Sequence, residues 1–161
     1  RHDVLGLNYR MNAITAAIGL AQLERIEFLV NRRISIGKMF NEVIKNCEYF
    51  IPQKILDSST HTYYTFGVRY LGEEIKDISW KEFYNRYISK GGNGFYSAWV
   101  NPYLEPVLRG KKIGGYDLNK GLCPIAENYQ KTIMLFKTNH RNPEEAKKDV
   151  DALKDLIEEI G

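Results

Sequence analysis

The feature that most narrows what this chain can fold into is a proline-free amphipathic run near its start. Between Asn12 and Ile44, the residues Ile14, Ala17, Ile18, Ala21, Ile26, Leu29 and Val30 return at spacings of three and four. Met39, Phe40, Val43 and Ile44 continue the stripe. That spacing places the apolar side chains on one face of a helix, and Asn12 offers a side-chain oxygen to cap its first turn. The run far exceeds the ~10–14 residues of an average globular helix, so a bend over residues 31–35 is expected. Gly19 lies inside the first half, where it costs about 1 kcal/mol relative to Ala. Two readings stay open there: close packing against another element, or a neutral position on an exposed face.

The remaining elements are shorter. Residues 48–52 read as a brief extended piece, and His61–Tyr70 (HTYYTFGVRY) is aromatic and β-branched, as a strand requires. Ser79–Lys90 is expected to be a helix opened by an S-x-x-E box from Ser79 and Glu82 and stopped by Gly91 and Gly92. The GGNG stretch at 91–94 is thus a helix stop and turn, with a phosphate loop as the weaker reading. Phe95–Val100 is a second candidate strand, and residues 101–121 read as an irregular loop containing Pro102 and Pro106. Pro124 opens a short helix extending to about Leu135, and Phe136–His140 is extended. The terminal helix carries Asn142 as cap, Pro143 at its first position and Glu145 completing the box, with Ala146, Val150, Leu153, Ile157 and Ile160 along one face. The order α-β-β-α-β-α-β-α describes an α+β domain: a long N-terminal helix, a small antiparallel sheet and C-terminal helices.

A chain of 161 residues, 43% hydrophobic and 27% charged, buries a real core as one domain. Its net charge of +3 is too mild, and its Lys and Arg too interleaved with Glu and Asp, for a nucleic-acid partner. No apolar run is long enough for a membrane span, and no signal peptide is evident; the cytoplasm is the expected compartment. Cys47 and Cys123 form no paired spacing and are expected to be buried free thiols. His2, His61 and His140 are not spaced as metal ligands, so no metal site is expected. The residues by themselves show neither a P-loop, a nucleophile elbow nor a dinucleotide fingerprint. Asn8 and Arg10, an amide and a guanidinium just ahead of a helix start, suit an anion such as phosphate; their bland reading is a turn residue and a surface charge.

The stretch GLNYRMN, followed by AAIGLAQLER and closing on NRR, resembles the DegT/DnrJ/StrS sugar aminotransferases in one long ungapped match. HTYYTFGVRY is similar to the family's H-x-Y-x-x-F/Y-x-V-R strand. WVNPYLEPVLRG, CPIAENYQKTIMLFKT and NPEEAKKDVDALKDLI resemble its substrate-proximal loop, its P-x-A-E segment and its terminal helix. The resemblance covers essentially the whole chain. It implies that residues 1–161 are the C-terminal, small domain of a fold-type-I enzyme using pyridoxal 5′-phosphate (PLP). The large domain and its Schiff-base lysine would lie ahead of Arg1, and no catalytic residue would fall in this chain. Lys38 and Lys45, on a helical surface pattern, are not expected to replace that lysine.

The implied activity is transfer of an amino group, with glutamate as donor, to a keto-sugar linked to a nucleotide, in polysaccharide or antibiotic-sugar biosynthesis. The family also contains dehydratases with His at the lysine position, and a non-catalytic dimerisation module is a further alternative. By matched position, Asn8 and Arg10 would reach the PLP phosphate of the other subunit of a homodimer. Tyr96, Tyr103 and Arg109 fall in the implied substrate loop, which departs from the commoner His-rich version. His61, Tyr63 and Tyr64 fall near the site, with core packing as their expected work. The piece alone is expected to be inactive.

Overall fold

The computed structural model describes residues 9–161, and Asn8 therefore lies outside the described residues. The N-terminal run forms two helices rather than one, α1 (Ala13–Leu23) and α2 (Ile26–Ile44). Asn12 caps α1 as expected, its Oδ1 accepting from Thr15 N–H at 2.8 Å. The break falls at Glu24–Arg25, where Arg25 leaves helical geometry (φ −111°, ψ 6°), and not at residues 31–35, which are regular helix. The displaced break lets α2 turn Ile36, Phe40 and Ile44 onto the sheet while α1 buries nothing among the described residues. Gly19 accordingly has no neighbour near its missing side chain, which supports the neutral reading of that glycine.

Four strands make the principal sheet: β1 (Phe50–Pro52), β2 (Thr65–Tyr70), β3 (Phe95–Ser97) and β6 (Ile133–Lys137). They are ordered β1-β2-β6-β3, and every pairing is antiparallel. Between β2 and β3 lie α3 (Gly72–Lys76) and α4 (Trp80–Ser89). A hairpin of β4 (Lys112–Ile113) and β5 (Tyr116–Asp117), α5 (Pro124–Gln130) and, after β6, α6 (Pro143–Ile160) complete the chain.

Period-two alternation sends Phe66, Val68 and Tyr70 of β2 and Met134 and Phe136 of β6 toward the buried side. There they meet Ile36 and Phe40 of α2, Phe83 and Tyr87 of α4, and Leu153 and Leu156 of α6. Phe136 is fully buried, with the rings of Phe40, Phe50, Tyr87 and Phe95 at centroid distances of 5.5, 6.3, 5.6 and 5.0 Å.

Helix ends follow the sequence closely. Ser79 Oγ accepts from Glu82 N–H at 3.2 Å, although the Glu82 carboxylate pairs with Arg86 instead of closing the box. At the other end of α4, Gly92 N–H bonds Tyr87 C=O at 3.0 Å and Gly91 N–H bonds Ile88 C=O at 2.9 Å. Together these are a Schellman stop, which needs the left-handed φ of 92° at Gly91. Asn142 Oδ1 accepts from Glu145 N–H at 2.8 Å, and Glu145 reaches back to Arg141 N–H at 3.0 Å.

Several boundaries differ from the sequence expectation, among them the end of β3, which stops at Ser97 rather than Val100 because Ala98 turns to a left-handed φ of 51°. The strand expected at His61 starts at Thr65, because Tyr63 is held at φ 49° with its N–H on His61 Nδ1 at 2.9 Å. Helix α5 ends at Gln130, and β6 begins at Ile133 rather than Phe136, since the whole I-M-L-F-K run pairs with β2. The 101–121 loop holds the β4–β5 hairpin, turned by Gly114 and Gly115 at φ 58° and 86°, a two-glycine signal that the sequence does carry. Both thiols are free, Cys47 half-buried and Cys123 exposed, so burial holds in part for the first only.

Truncating Phe136 to Ala is expected to cost about 3–5 kcal/mol, measured by urea denaturation. Ile125→Ala on the exposed face of α5 is expected to shift stability by no more than about 0.5 kcal/mol.

Candidate functional site

The face of the sheet opposite the helical core carries Thr65, Tyr96, Leu135 and Lys137, because each alternates with a buried neighbour. β3 ends at Ser97, and Ala98 then adopts a left-handed φ of 51°. This conformation is costly for a residue with a Cβ, and it swings Trp99 back beside Tyr96. The two rings stand edge to face with centroids 5.5 Å apart, and both are well exposed, at 47% for Tyr96 and 60% for Trp99.

This pair separates two clefts. One, about 270 Å³, runs between the sheet and α5 and is walled by Tyr129, Gln130, Ile133 and Leu135. Gln130 Nε2 donates to Ala98 C=O at 3.0 Å, and Ser97 Oγ donates to Ile133 C=O at 2.9 Å, which together fix the turn into Trp99. The other cleft, about 670 Å³, opens at the end of the sheet and is lined by Arg33, Tyr64, Lys137 and Arg141 among others.

A closed set of hydrogen bonds holds the floor of the larger cleft. Lys137 Nζ donates to Asn93 C=O at 2.8 Å, and Asn93 N–H donates to Asp149 Oδ1 at 2.8 Å. Asp149 Oδ2 lies 3.2 Å from His140 Nε2, which is also 3.1 Å from Lys137 C=O. Burial of Asp149 raises its carboxyl above the usual range, while the Asn93 N–H and His140 oppose that shift. The GGNG turn is thereby a helix stop whose Asn93 amide is already committed, not a phosphate loop.

On the opposite wall, Arg33 Nη1 donates to Tyr64 C=O at 2.8 Å and its guanidinium sits 5.5 Å from the Tyr64 ring centroid. Thr138 Oγ1, fully buried, donates to Tyr63 C=O at 2.6 Å and lies 3.1 Å from Tyr64 C=O.

The structure distributes the residues singled out from sequence unevenly. Tyr96 lines both clefts. Tyr103, on a 3-10 turn at Pro102–Leu104, donates its hydroxyl to Glu127 Oε1 at 2.8 Å. The same oxygen accepts from Gly121 N–H at 2.7 Å, so Tyr103 tethers the 101–121 loop to α5. Burial and the bond to Glu127 push the Tyr103 phenol up to about 12. The Tyr103 hydrogen bond, aided by the Gly121 amide, holds Glu127 below its ordinary value. Arg109 is exposed and lines neither cleft. Arg10 is exposed just ahead of α1.

Of the aromatic trio upstream of β2, Tyr63 packs on the core beside Gly37, whose missing side chain leaves room for its ring. His61 accepts the Tyr63 amide on Nδ1 and pairs with Gln53 through Nε2 at 3.1 Å. Tyr64 does not pack in the core: it is 80% exposed on the cleft rim. Arg33, Trp99, Lys137 and Arg141 were not singled out as site residues. The exposed aromatics of FYSAWV were the available signal for Trp99, whereas Lys137 is marked only by its place in an alternating strand.

Among the described residues, no cluster of His, Cys, Asp or Glu could hold a metal ion, and no helix is long and apolar enough to cross a membrane. The cleft offers cations to a phosphate group but does not make a complete PLP pocket. Glu145, the carboxylate lining it, is turned to Arg141 N–H, and Lys137, the lysine there, is bound to Asn93.

The four-stranded antiparallel sheet backed by helices defines an α+β fold that recurs in the solved structure of an aminotransferase. The structure of an aminotransferase from Psychrobacter cryohalolentis superposes with a TM-score of 0.80 at 22% identity, covering 99% of this chain and 42% of that one. DesV of S. venezuelae superposes with a TM-score of 0.76 at 17% identity, covering 98% of this chain and 40% of that one.

The model of the DegT/DnrJ/EryC1/StrS aminotransferase family matches residues 1–150, and the chain belongs to that family. GDP-perosamine synthase of Escherichia coli O157:H7 is 47% identical over 45 residues, 28% of this chain and 12% of that protein. An uncharacterised protein of Methanocaldococcus jannaschii is 28% identical over 155 residues, 96% of this chain and 39% of its own length. The Helicobacter pylori UDP-4-amino-4,6-dideoxy-N-acetyl-beta-L-altrosamine transaminase is 36% identical over 62 residues, 37% of this chain and 16% of that protein. The chain thus spans well under half the length of these relatives.

The Glu127 geometry sets a pH dependence. Its folded-state acidity is strengthened, so the tether is intact above the ordinary glutamate range and is lost as pH falls through the depressed value. Amide exchange at Gly121 is expected to lose protection on acidification in the wild type and to become pH-independent in this range in Glu127→Gln, as read by hydrogen-exchange NMR after correction for intrinsic rates.

Proposed function

We propose that this chain is the small domain of an enzyme that transfers an amino group, with glutamate as donor, to a keto-sugar linked to a nucleotide. Polysaccharide or antibiotic-sugar biosynthesis is the setting. The observation that carries this reading is the family match over residues 1–150. The nucleotide link is supported by relatives whose names specify GDP- and UDP-sugar chemistry. That the chain spans 42% of the Psychrobacter aminotransferase supports its being one domain of two, with the Schiff-base lysine on the other.

In this reading PLP, when bound, supplies an electron sink for moving a proton at the carbon that exchanges the amino group. Asn8 would hold the cofactor phosphate of the other subunit through its side-chain amide, and Arg10 would add a positive charge beside it. Tyr96 is the substrate-wall residue best supported by its place on both clefts. Arg109 and Tyr103 serve the same loop, Tyr103 by holding it to Glu127.

A homodimer agrees with the character of α1. Its apolar side chains, including Ile14 at 75% and Ile18 at 61% exposure, have no cover among the described residues, and a patch of that kind marks an interaction surface.

Asn8→Ala in the intact enzyme is expected to weaken PLP retention by about 1.5–3 kcal/mol, read from the cofactor's absorbance in an equilibrium titration. Unchanged retention would remove Asn8 from the phosphate site. The 161-residue chain alone is expected to show no transaminase turnover, and turnover by it would overturn the two-domain reading.

A further inference from the structure

Among the described residues that line the smaller cleft, between the sheet and α5, none is charged. Ile133 and Leu135 give it apolar walls, and Trp99 and Tyr129 add aromatic ones. Set into these walls are two carboxamides, Asn101 and Gln130.

Asn101 stands at the N-cap of the 3-10 turn Pro102–Leu104, a place where an Asn side chain usually accepts from the backbone of the turn. Here it makes no such bond, and its Nδ2 is buried without a hydrogen-bond partner among the described residues. A buried N–H that has given up water and gained no partner is destabilising. A ligand that brings an acceptor removes that penalty. Gln130 Nε2 donates to Ala98 C=O at 3.0 Å, which leaves its Oε1 as an acceptor. The cleft thus presents one donor and one acceptor in an otherwise apolar surround.

We propose that this cleft recognises an acylamino substituent on the sugar acceptor. The carbonyl accepts from Asn101 Nδ2, the N–H donates to Gln130 Oε1, and the methyl group lies against Ile133 and Leu135. The proposal rests on the keto-sugar reading above and adds the class of sugar, one that already bears an acylated amine.

At about 270 Å³ the cleft falls below the ~300–1,000 Å³ of sites that enclose a whole drug-sized ligand, so it takes a substituent rather than an entire nucleotide sugar. A hydroxyl in that place would use Asn101 and leave the apolar walls facing water. A carboxylate or an ammonium would lose its hydration with no opposite charge to meet it. An acylamino group is neutral and carries methyl, acceptor and donor together.

The walls are in place before a ligand arrives. Ser97 Oγ donates to Ile133 C=O at 2.9 Å, and the Arg69 guanidinium sits 4.7 Å from the Tyr129 ring centroid. Such preorganisation lowers the ordering cost of binding.

The test is calorimetric titration of the full-length protein with two pairs of ligands that differ only at this substituent. One pair is UDP-N-acetylglucosamine and UDP-glucose; the other is the same two sugars linked to GDP. In at least one pair the acetamido sugar is expected to bind at least roughly tenfold more tightly. Asn101→Leu, which keeps the bulk and removes the amide, is expected to reduce that ratio to below about threefold. Ala126→Leu, at an exposed position of α5 that lines the cleft, is expected to do the same by filling the space.

Equal affinity within both pairs, or binding of none of the four, overturns the proposal. So does a wild-type preference retained in Asn101→Leu. Should Asn101→Leu alter the circular dichroism, Ala126→Leu alone decides. Amino transfer is read separately, as turnover with PLP and glutamate. A protein that prefers the acetamido sugars but aminates no keto-sugar refutes the transfer reading and spares the cleft. Equal amination of keto-sugars with and without the acylamino group, at equal affinity, does the reverse.

Discussion

The packing of Phe136 is the interaction on which the rest of this structure depends. It sits on β6, the strand that pairs with β2 on one side and β3 on the other, and its ring meets aromatic partners contributed by α2, β1, α4 and β3. Rings at 5–6 Å centroid spacing add specific geometry to the area they bury. Because β6 is central, the direction of Phe136 toward the helices also decides where Leu135 and Lys137 must go. The site face of the sheet is therefore a by-product of the core face. A one-residue register slip would exchange the two.

The cleft floor shows how core and site are joined. Asp149 sits among the buried positions of α6, yet its two oxygens face the Asn93 amide and His140 Nε2. A buried carboxylate is tolerable only when its oxygens are satisfied. Meeting that requirement ties the terminal helix, the stop of α4 and the end of β6 to one point. Lys137 inherits its position from this arrangement through Asn93 C=O. On the opposite wall Thr138, one residue further along, holds the backbone at Tyr63 and Tyr64 in the same manner.

How much was legible in the sequence varies with the range of the interaction that decides each feature. The caps at Asn12, Ser79 and Asn142 and the stop at Gly91 are local, and each is found where its residue type requires. The α2 stripe was legible as a helix, but its break was not, since nothing near Arg25 marks a helix end. The boundary between α5 and β6 was misplaced because I-M-L-F is compatible with either state until β2 and β3 are there to pair with it. Tyr64 was read as core because it sits in an aromatic run. Strand alternation does not extend to it, since Tyr63 is left-handed and the strand starts only at Thr65.

By itself the sequence determined the kind of domain this is: capped helices around a small antiparallel sheet, in a segment whose motif run places it within an aminotransferase family. These properties depend on residues close together in the chain, where backbone conformation and hydrogen bonding to nearest neighbours settle the outcome. Only the tertiary structure decided which side chains share a cleft. Arg33, Tyr64, Tyr96, Trp99, Lys137 and Arg141 come from four separate stretches, and none carries a local signal that it will meet the others. Their meeting follows from strand order and register, which are set by burying Phe136 and its partners away from water.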